Sequence, residues 1–234
     1  MRHHLGEVDS TNRWLLDAAR GGARHRTVVT AAHQTAGRGR RGRTWRAPPG
    51  GSLLASVLLR RPDGVRQRQR AVMAVSVAMA DALEAHGEVP IGLKWPNDLL
   101  VGARKVGGVL AEAEGTALVV GIGVNLTWPA LPPDLAETAT AVNLAGGRVP
   151  PAEELLDAFL DRLDTALEVL DTVLDAYRRR LVTLGRRVRV DCGAVALCGV
   201  ARDVDADGRL LLVLPDGTET PVAAGDVVHL RPAP

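Results

Sequence analysis

Between residues 91 and 124, four short apolar runs lie at about 91–94, 98–101, 106–113 and 117–124. Only Pro96-Asn97, a Gly102-Ala103 tip and Gly115 separate them. Gaps this short leave no length for a crossover helix, so the runs must pair locally and antiparallel. Further apolar runs at 27–32 and 52–59 add strands to the same sheet. Helical spacing predicts an amphipathic helix over 11–20, capped by Ser10, with Trp14, Leu15 and Ala18 on one face and Gly21-Gly22 as its stop. A helix over 66–86 has a small apolar middle, Ala71 to Ala80, that suits packing on a sheet. A helical region runs from Pro151 to about Arg180. From Gly185 the pattern changes to short strands at 188–190, 196–200, 210–214 and 227–230, with Asp-Gly hairpin turns at 207–208 and 216–217. The prediction is an α/β (α+β) chain: a mixed, largely antiparallel sheet flanked by helices over 1–184, and a small β-barrel over 185–234.

Composition narrows the function class. The 234 residues are 46% apolar and 24% charged, which is globular and excludes collagen, low-complexity disorder and a coiled coil. No run approaches the ~18 consecutive apolar residues of a membrane span, and the start has no apolar signal core. Cys192 and Cys198 are the only cysteines. They form neither a disulfide framework nor a zinc site, and a cytoplasmic, reduced protein is expected.

Charge is unevenly spread. Residues 1–80 hold 15 Arg against 4 acids, giving +11, whereas the whole chain is +2. Part of this excess sits in Gln34-Thr-Ala-Gly-Arg-Gly-Arg-Arg-Gly-Arg-Thr-Trp-Arg46, where five arginines alternate with three glycines. The stretch lacks the periodicity to bury a face, so it is a long loop. Arginine forks grip phosphate or carboxylate oxygens, and glycine lets backbone N–H groups approach an anion. The alternatives are a plain solvated basic loop, or an RGG-like element that binds nucleic acid without sequence preference. Unliganded, its like charges repel, and mobility is expected. The run is neither a Walker loop nor a dinucleotide fingerprint.

Lysine is the second signal. Of 29 basic residues only Lys94 and Lys105 are lysines, and they fall within twelve residues of each other. Arg and Lys are not interchangeable where a compact, mobile point charge is needed. Asp98 and Lys105 flank the Gly102-Ala103 hairpin as cross-strand neighbours, and Gly107-Gly108 in a strand marks close backbone approach to a ligand. Taken alone, the Asp-Lys pair also fits a surface salt bridge.

Five motifs occur in order: Asp9-Ser10-Thr11-Asn12, Gln34 through Trp45, Lys94-Trp95-Pro96-Asn97-Asp98, Lys105-x-Gly107-Gly108-Val109-Leu110 and Gly121-Ile122-Gly123-Val124-Asn125. Together they resemble the biotin–protein ligases, also called biotin–[acetyl-CoA carboxylase] ligases. The tail (Gly185-Arg186-x-Val188, Gly199-Val200-Ala201, Asp207-Gly208, Gly225-Asp226-Val227) is similar to that family's SH3-like C-terminal domain, and the likeness covers roughly residues 7–232.

The resemblance implies a class II synthetase-like catalytic domain. It implies that biotin and ATP with Mg²⁺ are substrates, with no tightly bound prosthetic group. Biotin is joined to ATP as biotinyl-5′-AMP and then passed to a lysine of a carboxyl carrier domain of an acyl-CoA carboxylase. Matching the motifs residue by residue, Ser10, Thr11, Asn12, Gln34, Arg38, Gly39, Gly107 and Gly108 fall at biotin-side positions. Lys105, Arg40 and Asp98 carry the chemistry, with Lys105 at the biotin carboxylate and α-phosphate and Arg40 retaining the adenylate. Arg41, Arg43, Trp45, Lys94, Asn97 and Asn125 fall on the nucleotide side, with Mg²⁺ near Asn97 and Asp98. Asp98 either contacts nucleotide, orients Lys105 or takes the acceptor lysine's proton. Trp45 either closes over the adenylate or packs the loop base. Trp128 and the 127–140 loop fall where the family has an adenylate-covering loop. Because Asp9 lies so close to Met1, the form expected is the one without a DNA-binding domain or repressor activity, with no nucleic acid and no membrane as partners. The oligomeric state is open, a homodimer included. A lipoate–protein ligase, whose Arg-Gly pattern differs, is the nearest enzyme alternative. A nucleic-acid-binding module is the other, although aromatics at 3% are scarce for base stacking.

Overall fold

The computed structural model describes residues 1–60, 64–193 and 195–230. It opens with a strand that the pattern of apolar residues does not announce. Strand β1 (Arg2–Val8) runs parallel to β2 (Val28–Gln34), with helix α1 (Thr11–Arg20) as the crossover. No residue of β1 is buried, because it is a sheet edge built from polar side chains. Next come β3 (Ser52–Arg60), α2 (Gly64–Gly87), β4 (Gly92–Lys94), β5 (Asp98–Val101), β6 (Arg104–Glu114) and β7 (Ala117–Asn125). The sheet order is β1-β2-β3-β7-β6-β5-β4, antiparallel everywhere except β1–β2.

The two faces of this sheet differ, and the difference makes the site. Side chains alternate across a strand. On one face Leu53, Ala55, Val57 and Leu59 of β3 and Leu118, Val120, Ile122 and Val124 of β7 join the main core under α2. On the other face Leu58, Val119 and Ala117 pack against Leu15 and Ala19 of α1. Farther along that second face the side chains shrink, from Val119 to Gly121 and Gly123 on β7 and from Leu58 to Ser56 on β3. Beyond the N-terminus of α1 the sheet therefore has a bare floor.

The helical region after Pro151 is two helices, α3 (Ala152–Glu168) and α4 (Val173–Arg180), both packed on α2. The break at 169–172 exposes Val169 and redirects the chain. A second sheet follows: β8 (Arg187–Asp191), β9 (Ala196–Val204), β10 (Leu210–Val213), β11 (Glu219–Val222) and β12 (Asp226–His229), antiparallel in the order β11-β10-β9-β8-β12. Strand β11 contains Pro221, which cannot donate to a ladder, and it lies at the sheet edge where that costs nothing. Val188, Val190, Leu210, Leu212 and Val227 are buried in the same continuous core as α2 and α4. The second sheet is thus packed onto the first unit.

Candidate active site

A cavity of about 510 Å³ opens on the bare floor, within the range usual for small-molecule sites. The glycines of β7 leave the room. At Gly121 the carboxamide of Asn12 occupies the place a Cβ would take. At Gly123 a Cβ would lie 2.6–2.9 Å from the Trp45 indole, so the ring lies flat on the strand.

The N-terminus of α1 forms one wall. Ser10 sits at the cap position in extended backbone, but its hydroxyl makes no capping bond. Gln34 of β2 does that work instead: its Oε1 accepts from Thr11 N at 2.8 Å and Thr11 Oγ1 at 3.1 Å. The capping expectation for Ser10 is therefore wrong, and its buried hydroxyl is left to face the cavity. Asn12 is fully engaged. Ser56 Oγ donates to its Oδ1 at 2.7 Å, and its Nδ2 donates to Leu110 O at 3.1 Å and Glu112 Oε2 at 2.8 Å. Glu112 also pairs with Arg38 Nη1 at 2.9 Å. Ser56, whose Oγ also lies 2.8 Å from Thr11 Oγ1, and Glu112 thus contact three of the expected biotin-side residues, Thr11, Asn12 and Arg38, and neither carries a motif signal.

The opposite wall is the 94–109 hairpin. Lys105 Nζ pairs with Asp98 Oδ1 at 2.5 Å and lies 5.5 Å from the Trp45 ring centroid. A register shift between Leu99 and Leu100 offsets the two strands here. A Cβ at Gly108 would sit 3.1 Å from Lys105 Nζ, so the lysine folds over that glycine. Asn97 Nδ2 donates to Val109 O at 2.8 Å, and Asn97 Oδ1 accepts from Arg40 Nη1 at 3.5 Å. The turn is clamped from behind: Tyr177, whose hydroxyl burial pushes up, donates to Pro96 O at 3.1 Å, and Trp95 Nε1 donates to Gly208 O at 3.0 Å.

Positive charge is concentrated and partly desolvated. Burial pulls the Lys94 ammonium below its usual value, Asp98 opposing and Lys105 reinforcing the shift. Lys94 makes no ion pair with a described residue. Burial likewise lowers the Arg40 guanidinium, against Asp226 and Asp98. These cations are poised for an anion, which would restore the charge balance that burial disfavours.

The 127–140 segment covers the cavity and is fixed to Lys105 itself: Lys105 N donates to Thr138 O at 2.9 Å and Thr140 N to Lys105 O at 2.8 Å. Asn125 Nδ2 holds the same segment through Thr140 O at 2.9 Å. Trp45 and Trp128 both line the cavity, and the indole N–H of each is buried without a partner among the described residues. A buried donor left unpaired is costly, and a bound molecule with acceptor atoms there would satisfy it.

Ser10, Thr11, Asn12, Gln34, Arg38, Gly39 and Arg40 all reach this one cavity, as do Arg43, Trp45, Lys94, Asn97, Asp98, Lys105, Gly108 and Asn125. Two expected residues do not. Gly107 turns away: its missing side chain accommodates Gly123 O, 2.9 Å from where a Cβ would stand, so sheet packing explains it. Arg41 faces the second sheet, donating to Asp191 O at 2.7 Å. No group of three or more acidic, His or Cys side chains lies together among the described residues.

The sequence pattern of the biotin/lipoate A/B protein ligase family matches residues 5–127, more than half of the chain. The chain belongs to this family. The pattern of the biotin protein ligase C-terminal domain matches residues 183–230, so the second sheet is the family's SH3-like domain. A biotin–[acetyl-CoA-carboxylase] ligase of Mycobacterium tuberculosis is 36% identical, covering 97% of this chain and 88% of that protein. The bifunctional ligase/repressor BirA of Escherichia coli is 29% identical, covering 95% of this chain and 72% of that protein. The biotin protein ligase of Aquifex aeolicus, solved in complex with biotin and ATP, superposes with a TM-score of 0.83 at 27% identity, covering 98% of each chain. The family's mixed, largely antiparallel architecture is the one found here.

Proposed function

We propose that this chain activates biotin with MgATP to biotinyl-5′-AMP and transfers biotin to one lysine of the carboxyl carrier domain of an acyl-CoA carboxylase. The observation that carries the proposal is the Lys105–Asp98 pair at 2.5 Å, standing over a glycine-floored cavity between the polar N-terminus of α1 and the Arg40–Lys94 cations. Ser10, Thr11 and Gln34 offer hydrogen bonds to the polar end of biotin. Lys105, held by Asp98, neutralises the biotin carboxylate and the α-phosphate oxygen as the carboxylate attacks phosphorus and pyrophosphate leaves. A point charge on a flexible stem can follow that oxygen through the transition state. Arg40, Arg43 and Lys94 face the phosphates, and Asn97 and Asn125 order the walls around the nucleotide. Arg40 then keeps the mixed anhydride in place until the acceptor amine attacks its carbonyl and AMP departs.

The same reading divides the chain into a catalytic unit at 1–184 and a C-terminal unit at 185–234. It also leaves the basic first third without a nucleic-acid role. Three of the loop arginines have carboxylate partners inside the fold, Arg38 with Glu112, Arg43 with Asp226 and Arg46 with Asp134, which supports that reading. No described helix is long and apolar enough to cross a membrane. Both cysteines are exposed and unpaired, which suits a reducing cytoplasm. The test is incubation with a carboxyl carrier domain, biotin and MgATP. Avidin-reactive label on the carrier lysine supports the proposal, and a carrier that stays unlabelled while the enzyme is folded refutes it. A homodimer is testable by the mass of the chain in solution, with and without biotin and ATP.

A further inference from the structure

The 38–46 loop, by its charge alone, should repel itself and move. In the fold, three of its arginines are held by the second sheet. Arg43 Nη2 donates to Asp226 Oδ1 at 2.7 Å. Arg41 Nη1 lies 3.7 Å from Asp226 Oδ2 and donates to Asp191 O at 2.7 Å. Arg40 Nη1 donates to Gly225 O at 3.3 Å. Gly193, at φ +101°, keeps that corner open: a Cβ there would stand 2.9 Å from Arg41 Nη2. Arg40 and Arg43 belong to the cavity wall and Asp226 does not, so the carboxylate grips the loop from behind.

We propose that Asp226 is a positioning residue for adenylate formation and retention, through which the C-terminal domain holds the arginine loop closed on the nucleotide side of the cavity. One carboxylate against Arg41 and Arg43 leaves the loop net positive, so it still attracts phosphates while its ordering cost is met before they arrive. The grip is separable from docking of the domain. Arg178 pairs with Asp203 at 2.8 Å, Arg66 with Asp207 at 2.9 Å, and the hydrophobic core runs unbroken between the sheets. Removing the Asp226 carboxylate frees the loop without freeing the domain. The inference takes its substrates from the ligase reading above.

The experiment compares the full chain with Asp226→Asn, Asp226→Ser as a second variant, Asp226→Glu, and Asp203→Asn as a control for a different inter-sheet ion pair. Without substrates, trypsin should cut between Arg38 and Arg46 faster in Asp226→Asn and not in Asp203→Asn. With biotin and MgATP, Asp226→Asn should raise KM for MgATP and speed release of biotinyl-adenylate by about two- to fivefold, the range open to a partly exposed ion pair. Biotin affinity and melting temperature should hold, and Asp226→Glu should recover most of the loss. Unchanged cleavage and unchanged release in Asp226→Asn and Asp226→Ser overturn the proposal. So does equal leakage from Asp203→Asn, which would assign the effect to docking in general. If the unaltered chain makes no adenylate, the ligase reading falls, and the proteolysis arm still decides whether Asp226 holds the loop.

Discussion

Lys105 and Arg40 are held by different partners, and their loss should be felt in different steps. In the proposed reaction Lys105→Ala removes the charge set against the α-phosphate, and adenylate formation should fall about 10²- to 10³-fold. The melting temperature should stay near that of the parent, because the partner left behind, Asp98, is at a solvent-reached wall. An unchanged turnover number would remove Lys105 from the chemistry. Arg40→Gly should leave adenylate formation largely intact but let the adenylate escape, so that bystander proteins become biotinylated on surface lysines. Labelling that stays confined to the carrier would contradict that role. Both residues stand out in the sequence, Lys105 because lysine is so rare in this chain and Arg40 because of its glycine neighbours, and both line the cavity. Ser56 and Glu112 do not stand out. Each lies in a strand with no local chemical signal, and the Asn12 that Glu112 orders is a hundred residues away in the chain. Only the sheet register brings such pairs together. Arg41 and Gly107, matched by motif to the nucleotide and biotin sides, do not line the cavity: a motif gives position in the chain, and the fold sets the direction of a side chain.

Strand β7 shows how a single element shapes the cavity. Its core-facing residues are large, and its other face drops from Val119 to Gly121 and Gly123. Gly121→Ala should push the Asn12 carboxamide off Ser56 and Glu112, as overpacking that costs about 1–3 kcal/mol. At about 2–4 °C per kcal/mol for a chain of this size, calorimetry should record a clear fall in melting temperature, and KM for biotin should rise. A variant that keeps both values would mean the floor can shift without cost. The central strands and α2 were legible because each is long and strongly apolar. The edges were not. Strand β1 has only Leu5 and Val8 as apolar residues, and β11 contains a proline, yet both are stable because they need satisfy only one neighbour. The single helical stretch expected after Pro151 divides at 169–172, since tertiary packing of α4 on α2 outweighs continuous helical spacing.

The two sheets act as one body joined by a shared core, and their seam carries a titratable group. Burial, with Lys94 and Arg186 adding, lowers His229 from the usual 6.5 to about 4. As pH falls from about 6.5 toward 4, the unfolded chain takes up a proton that the folded chain refuses, so stability present at neutral pH is lost with acidification. His229 is partly exposed, and solvent screening keeps the effect near ~1 kcal/mol. The melting temperature should therefore drop between about pH 7 and pH 5.5, and His229→Gln should flatten part of that drop; equal drops in both proteins would exclude His229 as a cause. The seam also supplies a counter-ion to the basic loop: Asp226 of the second domain pairs with Arg41 and Arg43, which no local pattern in 34–46 reveals. Whether this molecule as a whole is a biotin-activating enzyme is best asked by pyrophosphate release on mixing it with MgATP and biotin, with lipoate and no-acid controls. Release that requires biotin, fails with lipoate and disappears in Lys105→Ala is the expected result. A folded chain that releases no pyrophosphate with biotin, or releases it equally with lipoate, would contradict the assignment.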